Sequence, residues 1–153
     1  MRFFEYRTIV SFEETNVVGN VYFSNYFVWQ GKCREYFLQK YAPQILDDFK
    51  AGYGMITKNS ACDFYNEAFA FQNILIKMSL EKLIRTGMSM LFDYYREDGD
   101  ELTLLAQGRQ TALWVSPQHK VSMMPEYLYE AIEQFAGSKA DVTAPSAGRV
   151  QEK

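Results

Sequence analysis

The sequence contains a single histidine, His119, and only two cysteines, Cys33 and Cys62. Two cysteines this far apart give neither a disulfide framework nor a metal-ligand spacing. A Ser-His-Asp or Cys-His hydrolase would have to be built on His119 alone. A zinc site would need more ligands than these three residues offer, so no metal and no cofactor are expected. No uninterrupted apolar run approaches the ~18 residues of a membrane span. The opening MRFFEYRTIV lacks a long apolar stretch and a small-residue cleavage site, so it does not read as a secretory signal. The net charge is −3 with both signs interspersed, without the basic excess that phosphate contacts require. These absences predict a cytoplasmic protein that engages neither nucleic acid nor membrane.

What the chain has in abundance is aromatic surface: 12 Phe, 11 Tyr and 2 Trp, joined by 7 Met. That supply suits an aromatic core, a subunit interface, or the lining of an apolar tunnel for a long, flat ligand. With 153 residues, 48% of them hydrophobic, one packed core is feasible and two are not.

Residues 3–13 carry the β-branched centre Thr8-Ile9-Val10 and read as a strand. Residues 14–20 hold turn chemistry in Thr15, Asn16, Gly19 and Asn20. From 24 to 41 the period becomes helical, with Tyr26, Trp29, Cys33, Phe37 and Lys40 on one stripe. A second stripe runs through Phe23, Phe27, Gln30, Arg34, Leu38 and Tyr41, so the helix is apolar around most of its circumference and should be buried. Pro43 ends that helix or opens a short one through Phe49. Strands are predicted over 55–64, 74–81, 88–95 and 102–115. The short breaks Arg85-Thr86-Gly87 and Glu97-Asp98-Gly99-Asp100 make the last three a meander of hairpins. Pro125 can open a helix reaching Phe135. From residue 137 the composition turns to Ser, Ala, Pro, Gly and charge, the mark of a disordered tail on a domain spanning 1–136. The fold class is therefore α+β: about five antiparallel strands around one long helix, with a C-terminal helix appended. One helix cannot cover both faces of such a sheet, which predicts a homo-oligomer.

The segment FEETNVVGNVYFSNYFVWQGKCR, residues 12–34, carries the chemistry. It resembles the signature of the 4-hydroxybenzoyl-CoA-thioesterase-like branch of the hotdog superfamily. The matching residues are Glu14-Thr15-Asn16, Gly19, Val21-Tyr22-Phe23, Asn25-Tyr26, Trp29 and Arg34. Where that family carries its catalytic aspartate, this chain has Asn16, and an amide has no useful basicity. The thioesterases of enediyne polyketide biosynthesis are similar in this respect, with Asn in place of Asp and an Arg and a Tyr on the helix implicated in activity. The resemblance implies Asn16, Arg34 and Tyr26 as catalytic residues, with Tyr22, Phe27 and Gln30 binding substrate. It implies an acyl-carrier-protein-bound β-keto polyene thioester as substrate, delivered on a phosphopantetheine arm by an iterative polyketide synthase. The unshared sheet face and the buried aromatic helix point to a dimer of dimers. An acyl-CoA thioesterase for small or aromatic acids, and a non-catalytic hotdog protein that shields a polyketide, are the alternatives.

A thioester is already activated toward water, so polarising its carbonyl supplies much of the rate. The start of the long helix, near Phe23, offers unpaired backbone N–H groups and the positive end of a macrodipole. Asn16 on the preceding turn is placed to hold water or the carbonyl. Arg34 is permanently cationic and either grips a 3-oxo group or braces Asn16, unless it pairs with Glu14 as a structural arginine. Tyr26 alternatively anchors the helix by packing. Asp63 and Glu67, expected on the loop after the second strand, are possible substitute bases. His119 is expected at the surface, Cys33 in the core, and Lys82 and Arg85 on a face that could meet an acidic carrier.

Overall fold

A computed structural model describes residues 2–137. The expected tail falls, from residue 138 onward, outside the described residues. The elements run β1 (Phe4–Ile9), a 3₁₀ turn (Phe12–Glu14), α1 (Ser24–Tyr41), α2 (Ile45–Lys50), β2 (Gly54–Phe64), β3 (Asn73–Ile84), β4 (Gly87–Asp98), β5 (Glu101–Val115) and α3 (Glu126–Ala136). The strands form one antiparallel sheet in the order β1-β3-β4-β5-β2. The β3-β4-β5 meander forms as its short turns predicted, and β1 and β2 flank it as edges. Register shifts between Thr57 and Asn59, Leu80 and Lys82, and Tyr94 and Tyr95 mark bulges, which bend the sheet.

At ~1.5 Å per residue α1 is about 27 Å long, enough to run the breadth of the sheet. Its buried residues are Tyr26, Trp29, Gln30, Cys33, Phe37 and Leu38. They meet Ile74, Ile76, Met78, Met90, Phe92, Tyr94, Ala112 and Trp114 from the sheet's inner face. Phe37 receives Phe4 edge-on from β1 and Phe135 edge-on from α3, so both termini of the fold close on this one ring. Gly87 lets β5 pack closely against the start of β4, because a Cβ there would lie 2.2 Å from the Ala112 carbonyl oxygen.

One expectation is corrected. The first strand stops at Ile9, not residue 13, because the Glu14 carboxylate reaches back to the Ser11 backbone N–H at 2.9 Å and stabilises a 3₁₀ turn. The outer face of the sheet is mixed in character. It carries the Arg7–Glu97 and Arg109–Glu81 ion pairs and a Gln107–Asp93 hydrogen bond, and Leu75 and Leu91 are buried on that side. Exposed apolar side chains gather instead around the start of α1: Phe12, Val17, Val18, Tyr22, Phe23, Phe69 and Phe71.

Candidate active site

The turn between the 3₁₀ segment and α1 is built by the motif residues themselves. The Trp29 indole N–H donates to Glu14 Oε2 at 2.8 Å, and Asn25 Nδ2 donates to the Glu14 and Tyr22 carbonyl oxygens at 2.9 and 3.1 Å. A Thr15–Val21 bridge closes the neck of the turn, and Asn16 N–H donates to the Asn20 carbonyl oxygen. Gly19 adopts φ +94°, a left-handed conformation that side chains resist. Glu14 is thus committed to Trp29 and to Ser11, and it does not pair with Arg34.

Inside this frame Asn16 has a fixed orientation. Its Oδ1 accepts from Val18 N–H at 3.0 Å, a bond that does not use the Nδ2 donor. Beside it, Phe23 and Ser24 begin α1, so their N–H groups lie ahead of any intrahelical acceptor. Donors without a base are what this corner presents.

Tyr26 is buried, its ring packed against Trp29, Phe64 and Tyr94, and its carbonyl oxygen accepts from Tyr94 Oη–H at 2.8 Å. Burial first, then the neighbouring Cys62 and Glu67, push its phenol well above the ordinary range, so it stays protonated. Tyr22 and Phe23 are about half exposed and stack obliquely at the rim; Phe27 is partly buried. Phe71, on the facing loop, sits at φ +67° with Phe12 packed edge-on against it. Holding a non-glycine residue there costs on the order of 1–3 kcal/mol.

Arg34 lies elsewhere on the helix, about 15 Å along the axis from Ser24 at ~1.5 Å per residue. Its Nη1 donates to Gln110 Oε1 at 2.7 Å and to Thr57 Oγ1 at 3.1 Å. Burial lowers its pKa from the usual arginine value, and Glu35 opposes that shift. The group borders a groove of about 450 Å³ lined by Leu38, Ile45, Leu46, Phe49 and Met55 and also by Glu35, Tyr36 and Gln39. Arg34 therefore does not brace Asn16, and within one chain the two do not converge. Gln30 is fully buried, and its amide bonds Ser60, Gln110 and the Ala61 carbonyl oxygen.

Of the two substitute carboxylates, Asp63 belongs to β2 rather than to a loop. Glu67 does lie on the loop, where it accepts from Asn20 Nδ2 at 3.0 Å. Sequence reasoning missed Asn20, although it stands inside the motif. His119 is exposed and Cys33 is buried, its thiol pushed up to about 12 by burial. Arg85 is held by Glu126 and lies over the Tyr129 ring; Lys82 is exposed. Among the described residues no group of three or more His, Cys, Asp or Glu side chains could hold a metal ion. No described helix is long and apolar enough to cross a membrane.

The model of the thioesterase-like superfamily matches residues 10–132. The chain belongs to the thioesterase-like superfamily. Crystal structures of the dynemicin thioesterase, in which polyene binding brings induced-fit and allosteric effects, are similar at 38% identity and a TM-score of 0.81. That match covers 87% of this chain and 96% of the other. A 1,4-dihydroxy-2-naphthoyl-CoA thioesterase from Synechocystis shares the fold at 19% identity and a TM-score of 0.73, over 85% and 95% of the two chains. A 4-hydroxybenzoyl-CoA thioesterase mutant complexed with 4-hydroxybenzoyl-CoA does so at 15% and 0.77, over 86% and 99%. No curated protein sequence matches. The family membership accounts for the five-stranded antiparallel sheet around a long helix, which is the hotdog fold.

Proposed function

We propose that this chain hydrolyses a β-keto polyene thioester carried on the phosphopantetheine arm of an acyl carrier protein domain of an iterative polyketide synthase. The observation that carries the reading is the corner formed by Asn16 Nδ2 and the first N–H groups of α1, in a chain 38% identical to the dynemicin thioesterase. Those donors are suited to the oxygen that gains charge when water adds to the thioester carbonyl. Collapse of the adduct breaks the C–S bond, the sulfur takes up a proton, and acid and thiol leave. A β-keto acid released in this way can lose carbon dioxide to give a methyl ketone.

In this reading a second copy supplies the Arg34 that a single chain keeps apart from Asn16. β2 is an edge strand, so pairing it with itself about a two-fold axis runs the two copies antiparallel. The Thr57 end, where Arg34 docks, then lies against the partner's Phe64 end, where Tyr26 packs. A dimer of this kind sets Arg34 of one protomer toward the α1 N-terminal half of the other, and two such dimers make the proposed tetramer.

The test is single-turnover hydrolysis of one β-keto polyenoyl group presented on a carrier protein and on CoA, with the acid and ketone identified by mass spectrometry. Faster release from the carrier protein supports the reading. Preference for CoA favours an acyl-CoA thioesterase, and tight binding without turnover of either favours a non-catalytic carrier. Light scattering showing a monomer at micromolar concentration would remove the two-chain site.

A further inference from the structure

Most arginines with polar partners in this fold meet a carboxylate: Arg7, Arg85, Arg96 and Arg109 all form ion pairs. Arg34 is more deeply placed than these, yet it forms no ion pair among the described residues. Its guanidinium is held by two neutral oxygens, Gln110 Oε1 at 2.7 Å and Thr57 Oγ1 at 3.1 Å.

The nearer of these oxygens is itself set by a directional string of amides. Gln110 is 3% exposed and its Nε2 donates to Gln30 Oε1 at 3.3 Å. Ser60 Oγ–H donates to the same oxygen at 2.7 Å, and Gln30 Nε2 donates to the Ala61 carbonyl oxygen at 3.2 Å. Each oxygen in the string receives a donor, so neither amide can flip without setting N–H against N–H. Space for the string is made by Gly108, two residues before Gln110 on β5; a Cβ there would stand 2.3 Å from Gln30 Nε2. A glutamate at position 110 would grip the arginine more strongly, but it would cancel the charge. A glutamine fixes the guanidinium and adds no charge of its own; Glu35, the carboxylate bordering the same groove, makes no ion pair with Arg34 among the described residues.

We propose that Gln110, oriented by Gln30, is a positioning residue that holds Arg34 without neutralising it, so that the groove recognises an anionic or enolisable oxygen on an otherwise apolar acyl group. The proposal rests on the thioesterase reading only for its kinetic arm.

Gln110→Glu keeps the shape and adds a charge partner, so it separates structure from recognition. Two measurements apply to wild type, Gln110→Glu and Gln30→Met. The first is binding of a fluorescent conjugated tetraene fatty acid and of its methyl ester. Wild type should favour the acid, and that preference should fall about tenfold or more in Gln110→Glu, the scale of one hydrogen bond to a charged group. Its melting temperature should stay within a few degrees of wild type, because the new charge pair with Arg34 offsets the lost donor to Gln30 Oε1. Gln30→Met, which frees Gln110 to turn, should lose part of the same preference. The second measurement is the kcat/KM ratio of 3-oxoacyl over saturated thioesters, which should fall in parallel and chiefly through KM. Equal binding of acid and ester by wild type would overturn the proposal, as would an undiminished preference in Gln110→Glu. Should Gln110→Glu not fold, an unchanged preference in Gln30→Met would overturn it too. Absence of turnover with the binding preference intact would instead count against the thioesterase reading.

Discussion

The Trp29 indole donates to the Glu14 carboxylate at 2.8 Å, tying the turn that carries Asn16 to the second turn of α1. The bond joins a fully buried ring to a turn otherwise held by Ser11, Asn25 and the Thr15–Val21 bridge. Trp29→Phe keeps an aromatic in the core but strands one carboxylate oxygen. We expect a loss of about 2–3 kcal/mol in urea unfolding. The single-turnover rate should fall with it at temperatures where the variant remains folded. Wild-type stability in this variant would show that the turn is held by other contacts.

Asn16→Asp isolates the donor from the turn. A carboxylate still accepts from Val18 N–H, so unfolding free energy should stay within about 0.5 kcal/mol of wild type. The Nδ2 donor is lost and negative charge faces the developing oxyanion. Hydrolysis should be slower, by about 10–100-fold in single turnover, with a carboxylate-like acidic limb if the new group acts as base. A rate increase would mean that position 16 is a weakened catalytic aspartate.

Glu67 is tied to the turn through Asn20. Glu67→Gln keeps an oxygen for the Asn20 amide and removes basicity. If water needs no side-chain base, kcat/KM should stay within about threefold, whereas losing a general base costs roughly 10²–10⁴-fold. A drop of the latter size, confined to the alkaline plateau of the pH profile, would make Glu67 the missing base.

Alkali should weaken the fold through buried acids that ionise only after unfolding. Burial pushes the Cys33 thiol from 9.0 to about 12, and the Tyr26 and Tyr94 phenols are raised for the same reason. Between pH 9 and about 12 the unfolded chain therefore binds fewer protons than the folded one, and stability falls as pH rises. Urea midpoints should decline across that window, less steeply in Cys33→Ala than in wild type. In native protein at pH 8, iodoacetamide should leave Cys33 unlabelled.

The helix period over 24–41 was legible to the residue, because aromatics recur at helical spacing and Pro43 follows closely. The motif's roles were less so. Glu14, Asn25 and Trp29 stand in the sequence as motif residues without an assigned role, and in space they are mutual supports. The stop of β1 was written in the Ser11-to-Glu14 spacing but hidden by the continuing alternation of Phe12 and Glu13. Arg34's partner was out of reach of sequence reasoning. Gln110 lies 76 positions away, and only the β2–β5 register together with the seat of α1 brings the two into contact.

The fit between Gly108 and Gln30 makes their substitutions conditional on each other. Any side chain at 108 meets the Gln30 amide within the same bend of the sheet, so the change is tolerable only after position 30 has shortened. Shortening 30 first removes the group that orients Gln110. Neither order of two single steps passes through an intermediate with both a sound core and a fixed guanidinium. Relatives that have lost the glycine should therefore differ at 30 and 110 as well, and variation at these three positions should travel as a block.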